Sequence, residues 1–173
     1  MFEDRPHVLI AEDETIIRMD LRQLLEDEGF VVCGEARDGL EAVERARETS
    51  PDVAIFDLKM PGLDGIEAAR RVYAERPIPI VMLTAYADRS SIDRAVGAGV
   101  FGYVTKPFRR EDVVPAVLSA LARHEELLAA RREVGKKDTP IELEILSPSG
   151  SAYPLRLGRL PDGQLDISLQ KLK

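Results

Sequence analysis

The chain reads as an α/β protein, with five parallel strands each followed by a helix and a small antiparallel extension behind them. Three observations predict this. Residues 8–11, 53–56 and 80–83 are short unbroken apolar runs, which suit strands covered on both faces, since a strand with one wet face alternates. Between them lie stretches whose apolar residues recur every three or four positions, the period of a helix with one buried side. Strand and helix alternate five times, and after residue 140 the pattern changes to strict two-residue alternation.

Val8, Leu9, Ile10 and Ala11 make the first strand, which stops at Glu12, Asp13 and Glu14. Thr15 opens a helix with Ile17, Leu21, Leu24 and Leu25 on one face. Gly29 closes it, because glycine enters the left-handed conformation without steric cost. The second strand is expected over 30–33, with Cys33 in it, and Asp38-Gly39 leads into a helix with Leu40, Val43 and Ala46 inward. Ser50-Pro51-Asp52 breaks the chain before the central strand. That strand ends on Asp57, because Met60-Pro61-Gly62 cannot extend it.

A third helix is expected over 66–75, and a fourth strand over 80–83 ends at Thr84. A short helix over 90–96 precedes a fifth strand over 100–105, which ends at Lys106-Pro107. The last helix should start near Asp112, placing Pro115 in its tolerant first turn. Its stripe is Val114, Val117, Leu118, Leu121 and Leu128, it runs to about Val134, and its part beyond Ala122 could form a homodimer seam. Right-handed crossovers then favour a flavodoxin-like (βα)5 domain, strand order 2-1-3-4-5, over residues 1–134. Residues 135–140 are a polar linker. Residues 141–173 alternate in three stretches separated by Pro148-Ser149-Gly150 and Pro161-Asp162-Gly163, the pattern of a three-stranded meander. Three short strands bury too little to stand alone, so an interaction or dimerisation module docked on another surface is expected.

The net charge of −7 is informative through its distribution: residues 135–173 hold six Lys/Arg against five Asp/Glu, so the acidic excess lies before them. Neither part offers a basic nucleic-acid surface. No apolar run approaches a membrane span, and the first six residues lack the basic-then-apolar order of a secretory signal. The single Cys33 cannot form an internal disulfide and is expected as a small core residue of a cytoplasmic protein. His7 is expected at an edge and His124 as a solvated group on a charged helix. Residues 97–102 match the glycine pattern of a dinucleotide loop, but they follow a helix and open a strand, the reverse of the required order. They read as a helix cap and a turn.

In this topology the carboxyl ends of neighbouring strands meet along one edge. They deliver Glu12, Asp13, Asp57, Thr84 and Lys106. Three carboxylates together repel one another, and a hard divalent cation resolves that; oxygen ligands with open water positions suit Mg²⁺. A carboxylate nucleophile, Mg²⁺, a lysine and a hydroxyl are the parts needed to accept and hold a phosphoryl group.

Glu12-Asp13, Asp57, Thr84-Ala85, Tyr103 and Lys106-Pro107 resemble the receiver domain of two-component response regulators, over about residues 6–125. The resemblance implies Asp57 as the acceptor of a phosphoryl group from a sensor histidine kinase. It implies Mg²⁺ held by Glu12, Asp13, Asp57 and the backbone carbonyl of Lys59. Thr84 and Lys106 would grip the phosphoryl group, and Tyr103 would be the aromatic switch that turns inward. A downstream protein would be met through the face of the fourth helix, fifth strand and last helix, or through the tail. The Lys106–Pro107 peptide is expected to be cis.

The wording of the domain is most similar to receivers of antiterminator regulators of the ANTAR class. Those carry a helical RNA-binding output, from which this strand-patterned, near-neutral tail departs. An aspartyl-nucleophile phosphatase would place a second aspartate two residues after the first, where this chain has Lys59. No enzymatic turnover beyond self-phosphorylation and self-dephosphorylation of Asp57 is expected.

Overall fold

The computed structural model describes residues 5–85, 89–95 and 97–134, and three further strands at 141–146, 152–159 and 165–169 by their backbone. Strands β1 (His7–Ala11), β2 (Val31–Ala36), β3 (Val53–Asp57), β4 (Ile80–Thr84) and β5 (Val100–Thr105) form one parallel sheet, order β2-β1-β3-β4-β5. Helices α1 (Thr15–Asp27), α2 (Gly39–Thr49), α3 (Gly65–Glu75), α4 (Arg89–Ala95) and α5 (Arg110–Val134) follow them in turn. This is the flavodoxin-like order the sequence predicts.

Two-sided burial explains why the strands do not alternate. Leu9, Ala11, Ala54, Phe56, Ile80 and Met82 pack in one core with the inner faces of α2 and α3. Their neighbours Val8, Ile10, Val53, Ile55, Val81 and Leu83 pack in the other, with Leu21 and Leu25 of α1 and Val113, Val117 and Ala120 of α5. Each strand thus spends alternate side chains on opposite apolar layers.

Local chemistry sets the ends of the helices. Gly29 has φ +87° and closes α1. Asp38 and Asp64 are N-caps whose carboxylates accept the backbone N–H of Glu41 and Glu67 at 2.8 and 2.9 Å. Gly97 and Gly99 turn the chain into β5 with φ +76° and +81°, as the cap-and-turn reading of that glycine run requires.

Several elements differ from expectation. β2 continues past Cys33 to Ala36, because the register shifts between Val8 and Leu9 and leaves Cys33 opposite no residue of β1. The half-buried thiol at this bulge donates to Val8 O at 3.4 Å, so Cys33 lies at the margin of the core. Leu40 is 57% exposed, and α2 turns Gly39, Ala42, Val43 and Ala46 inward instead. His7 lies on β1, between β2 and β3, and is exposed at the strand's outer end; it is not on an edge strand.

α5 starts at Arg110, two residues early, which puts Pro115 inside the helix and its buried face on Val113, Val117, Ala120, His124 and Leu127. His124 is therefore 7% exposed, not solvated. It meets Phe101 edge-on, ring centroids 5.4 Å apart, and Tyr73 at 6.1 Å. Phe101 reaches this cluster from a second bulge, between the β4 pairings of Val100 and Gly102. His124 and Leu127, on the part of α5 beyond Ala122, are covered within the chain.

Strands β6 (Ile141–Leu146), β7 (Ala152–Arg159) and β8 (Leu165–Leu169) form the expected antiparallel meander, in the order β6-β7-β8. β6 runs near β5 and α5, and β7 near α5. The expected linker 135–140, the turn residues 148–150 and 161–163, the first four residues, Tyr86 and Val96 lie outside the described residues, as does side-chain burial in the meander.

Candidate functional site

The parallel register brings the ends of β1 and β3 side by side, Ala11 opposite Phe56, so that the residues just beyond them share one space. Glu12, Asp13 and Asp57 each turn a carboxylate oxygen into it, and these oxygens lie within 4.8 Å of one another. Glu12 and Asp57 are buried while Asp13 is exposed, so the cluster has one open side. Among the described residues it is the only such group of potential metal-binding side chains.

The backbone fixes each member. Glu12 donates its N–H to Ala36 O at 3.0 Å. Its side chain accepts from the N–H of Glu14 at 3.0 Å. Asp57 accepts the N–H of Lys59, whose side chain is exposed. Lys106 N–H donates to Thr84 O at 2.8 Å, which ties together the ends of β4 and β5. Lys106 then extends its ammonium to 2.7 Å from Glu12 Oε2 and 3.2 Å from Asp57 Oδ2. It therefore sits among the carboxylates, not across from them, and the Lys106–Pro107 peptide is cis.

Burial pushes the Asp57 carboxyl above its ordinary range, with the charge of Lys106 opposing the shift. Glu12 is likewise raised, by burial first, with its contact to Lys106 opposing. Burial draws the Lys106 ammonium down, but Glu12 and Asp57 outweigh this and the net shift is upward. One lysine cannot balance three carboxylates. Glu12 Oε2 is buried 2.7 Å from the Lys106 ammonium, and a carboxylate oxygen has acceptor capacity beyond that one contact. An all-oxygen donor set with surplus negative charge and an open side fits a hard divalent cation.

Thr84 is buried at the end of β4. Tyr103 is half-buried against the core that includes Phe56 and Met82, and among the described residues its buried hydroxyl has no hydrogen-bond partner. Two contributors escape a motif reading. A Cβ on Gly65 would stand 2.0 Å from Asp57 O, so only glycine lets α3 close onto the acceptor strand; the turn residues just before it are the available signal. Arg18 donates to Glu12 O at 2.7 Å from the first turn of α1, and nothing in its helical spacing marks it.

This geometry defines a receiver. The family model of the response regulator receiver domain matches residues 8–118, and the chain belongs to that family. The transcriptional regulatory protein PdtaR of Mycobacterium tuberculosis is 47% identical over 135 residues, which is 78% of this chain and 66% of PdtaR. The chain thus spans just under two thirds of that relative. The receiver domain of a modulated diguanylate cyclase from Desulfovibrio desulfuricans superposes with TM-score 0.67 and 34% identity, over 72% of this chain and 99% of that one. A structure of the CheX–CheY–BeF3–Mg²⁺ complex from Borrelia burgdorferi matches with TM-score 0.62 and 27% identity, over 65% of this chain and 87% of that one. Among the described residues no helix is long and apolar enough to cross a membrane.

Proposed function

We propose that the chain is a phosphorylation-controlled switch in which Asp57 takes a phosphoryl group from the phosphohistidine of a sensor kinase. The observation that carries this reading is the convergence of Asp57, Glu12, Asp13 and Lys106 in one half-open pocket. An Asp57 oxygen forms a bond to phosphorus as the phosphorus–nitrogen bond breaks, and the electron pair returns to the imidazole. Glu12, Asp13, Asp57 and the Lys59 carbonyl would hold Mg²⁺, which when bound would neutralise charge on the transferring oxygens. Lys106 moves its ammonium from Glu12 and Asp57 to a phosphoryl oxygen, and the Thr84 hydroxyl donates to another. The depth of Asp57 excludes bulk water from the new acyl phosphate.

The kinase would meet the mouth of this pocket. Ile16 and Met19 on α1 are 75% and 61% exposed. An open cleft of about 380 Å³ beside them is lined by Ile17, Asp20, Lys106, Pro107 and Phe108. Exposed apolar side chains rimmed by polar ones suit a transient helical partner. For output, movement of Thr84 would open space for Tyr103 and change the face of α4, β5 and α5, next to which β6 and β7 run. The meander is then an interaction module reporting that change to a downstream protein.

Beryllofluoride with Mg²⁺ tests the switch. Amide NMR shifts should spread from Asp57 through Thr84 and Tyr103 to β5 in the wild type and be absent in Asp57→Ala. Identical spectra for the two proteins would refute the reading. In a chain ending at residue 134, the shifts at Asp57 should persist while capture of the downstream partner is lost; retained capture would exclude the meander as the output module.

A further inference from the structure

Glu12 reaches its metal-facing position through a peptide held at both ends. Its N–H is fixed by Ala36 O at 3.0 Å. Its C=O belongs to the peptide that joins it to Asp13, and it accepts from Arg18 Nη1 at 2.7 Å. Asp13 is the exposed member of the cluster, so the plane of this peptide is what aims its short side chain at Asp57.

Arg18 is itself held. Its side chain is only 12% exposed, and its Nε lies 3.5 Å from Glu35 Oε1 on the edge strand β2. Arg22 grips the other oxygen of Glu35 at 2.7 Å. A guanidinium offers donors in a fixed fork, so one arm can face the carbonyl while another faces a carboxylate. The charge is also apt: a cation hydrogen-bonded to the Glu12 carbonyl partly offsets the three carboxylates clustered beside that peptide.

We infer that Arg18 is a positioning residue for the metal, setting the Glu12–Asp13 peptide so that Asp13 can ligate, with Glu35 orienting Arg18. The inference rests on the reading of this cluster as a Mg²⁺ site. Its test is Mg²⁺ affinity in the full chain, from titrations of amide NMR shifts at Asp13 and Lys59. Arg18→Met keeps the aliphatic stem but removes the donors, and should raise the Mg²⁺ Kd about tenfold, as expected for loss of one charge-assisted hydrogen bond. Arg18→Lys should recover part of this, and Glu35→Gln should show a smaller rise of about threefold.

The decisive arm is a double-mutant cycle. If Arg18 works through Asp13, then Arg18→Met made in Asp13→Asn should leave Kd where Asp13→Asn alone puts it. Additive losses, or an Arg18→Met Kd within twofold of wild type, would overturn the inference while leaving the Mg²⁺ site standing. No saturable Mg²⁺ binding by the wild type would overturn both.

Discussion

Replacing Gly65 by alanine probes the closest approach in the molecule that serves the site. Gly65 is the first residue of α3, capped by Asp64, and its N–H donates to Leu58 O at 3.0 Å. An added Cβ would lie 2.0 Å from Asp57 O and 2.9 Å from Asp57 C, where ordinary contact begins at 3.4 Å. Helix and strand end must therefore separate by about 1.4 Å, and both sides of the contact are backbone, so no side-chain rotation relieves it. Overpacking of this kind costs about 1–3 kcal/mol, and backbone on both sides argues for the upper end.

At about 2–4 °C per kcal/mol for a chain of this size, Gly65→Ala should melt roughly 6–12 °C below wild type. Thermal unfolding followed by circular dichroism reads this directly. Gly62→Ala is the control, since Gly62 has φ +73° but open space around its Cβ position. It should lose only about 1 kcal/mol, from left-handed strain alone. A Gly65→Ala melting temperature within 2 °C of wild type, or no lower than that of Gly62→Ala, would refute the close-approach argument.

His124 and Tyr103 give two further tests. Burial holds His124 below its ordinary pKa, and the charge of Arg131 adds to this, so the folded chain keeps the ring neutral while the unfolded chain protonates near 6.5. The unfolded state then binds more protons, and stability should fall as pH drops through 6.5. The difference in unfolding free energy between wild type and His124→Gln, measured from pH 8 to 5, should show that slope; a flat difference would reject it. Among the described residues the buried Tyr103 hydroxyl has no partner, so Tyr103→Phe should be as stable as wild type or about 1 kcal/mol more stable in urea unfolding. A loss above 1 kcal/mol would mean that the hydroxyl is hydrogen-bonded.

Legibility followed the range of the physics. The five strands, their order and the acidic cluster were readable because two-sided burial and carboxylate chemistry leave plain marks in short stretches of sequence. The register of α5 was not. Val113 and Ala120 pack inward with Val104 of β5, and His124 packs against Phe101 and Tyr73, whereas the adjacent apolar pairs Val113/Val114 and Leu127/Leu128 let a stripe be drawn one position along. Leu40 failed likewise: Gly39 packs where a Cβ would stand 2.2 Å from Leu63 O, and that seating turns Leu40 to water. Arg18 and Gly65 act through the backbone of Glu12 and Asp57, across a loop, and the only local mark of either is the turn before Gly65.

α5 carries one more implication. Its 25 residues run without interruption from the strand that ends at the lysine to the threshold of the meander, a length of about 37 Å at 1.5 Å per residue. His124 and Leu127 pin the rod's rotation about its own axis. Adding or removing one residue beyond them would turn the rest of the helix, up to Val134, through about 100° relative to the receiver, so the direction its last turns present is clocked to the pocket like a hand on a spindle.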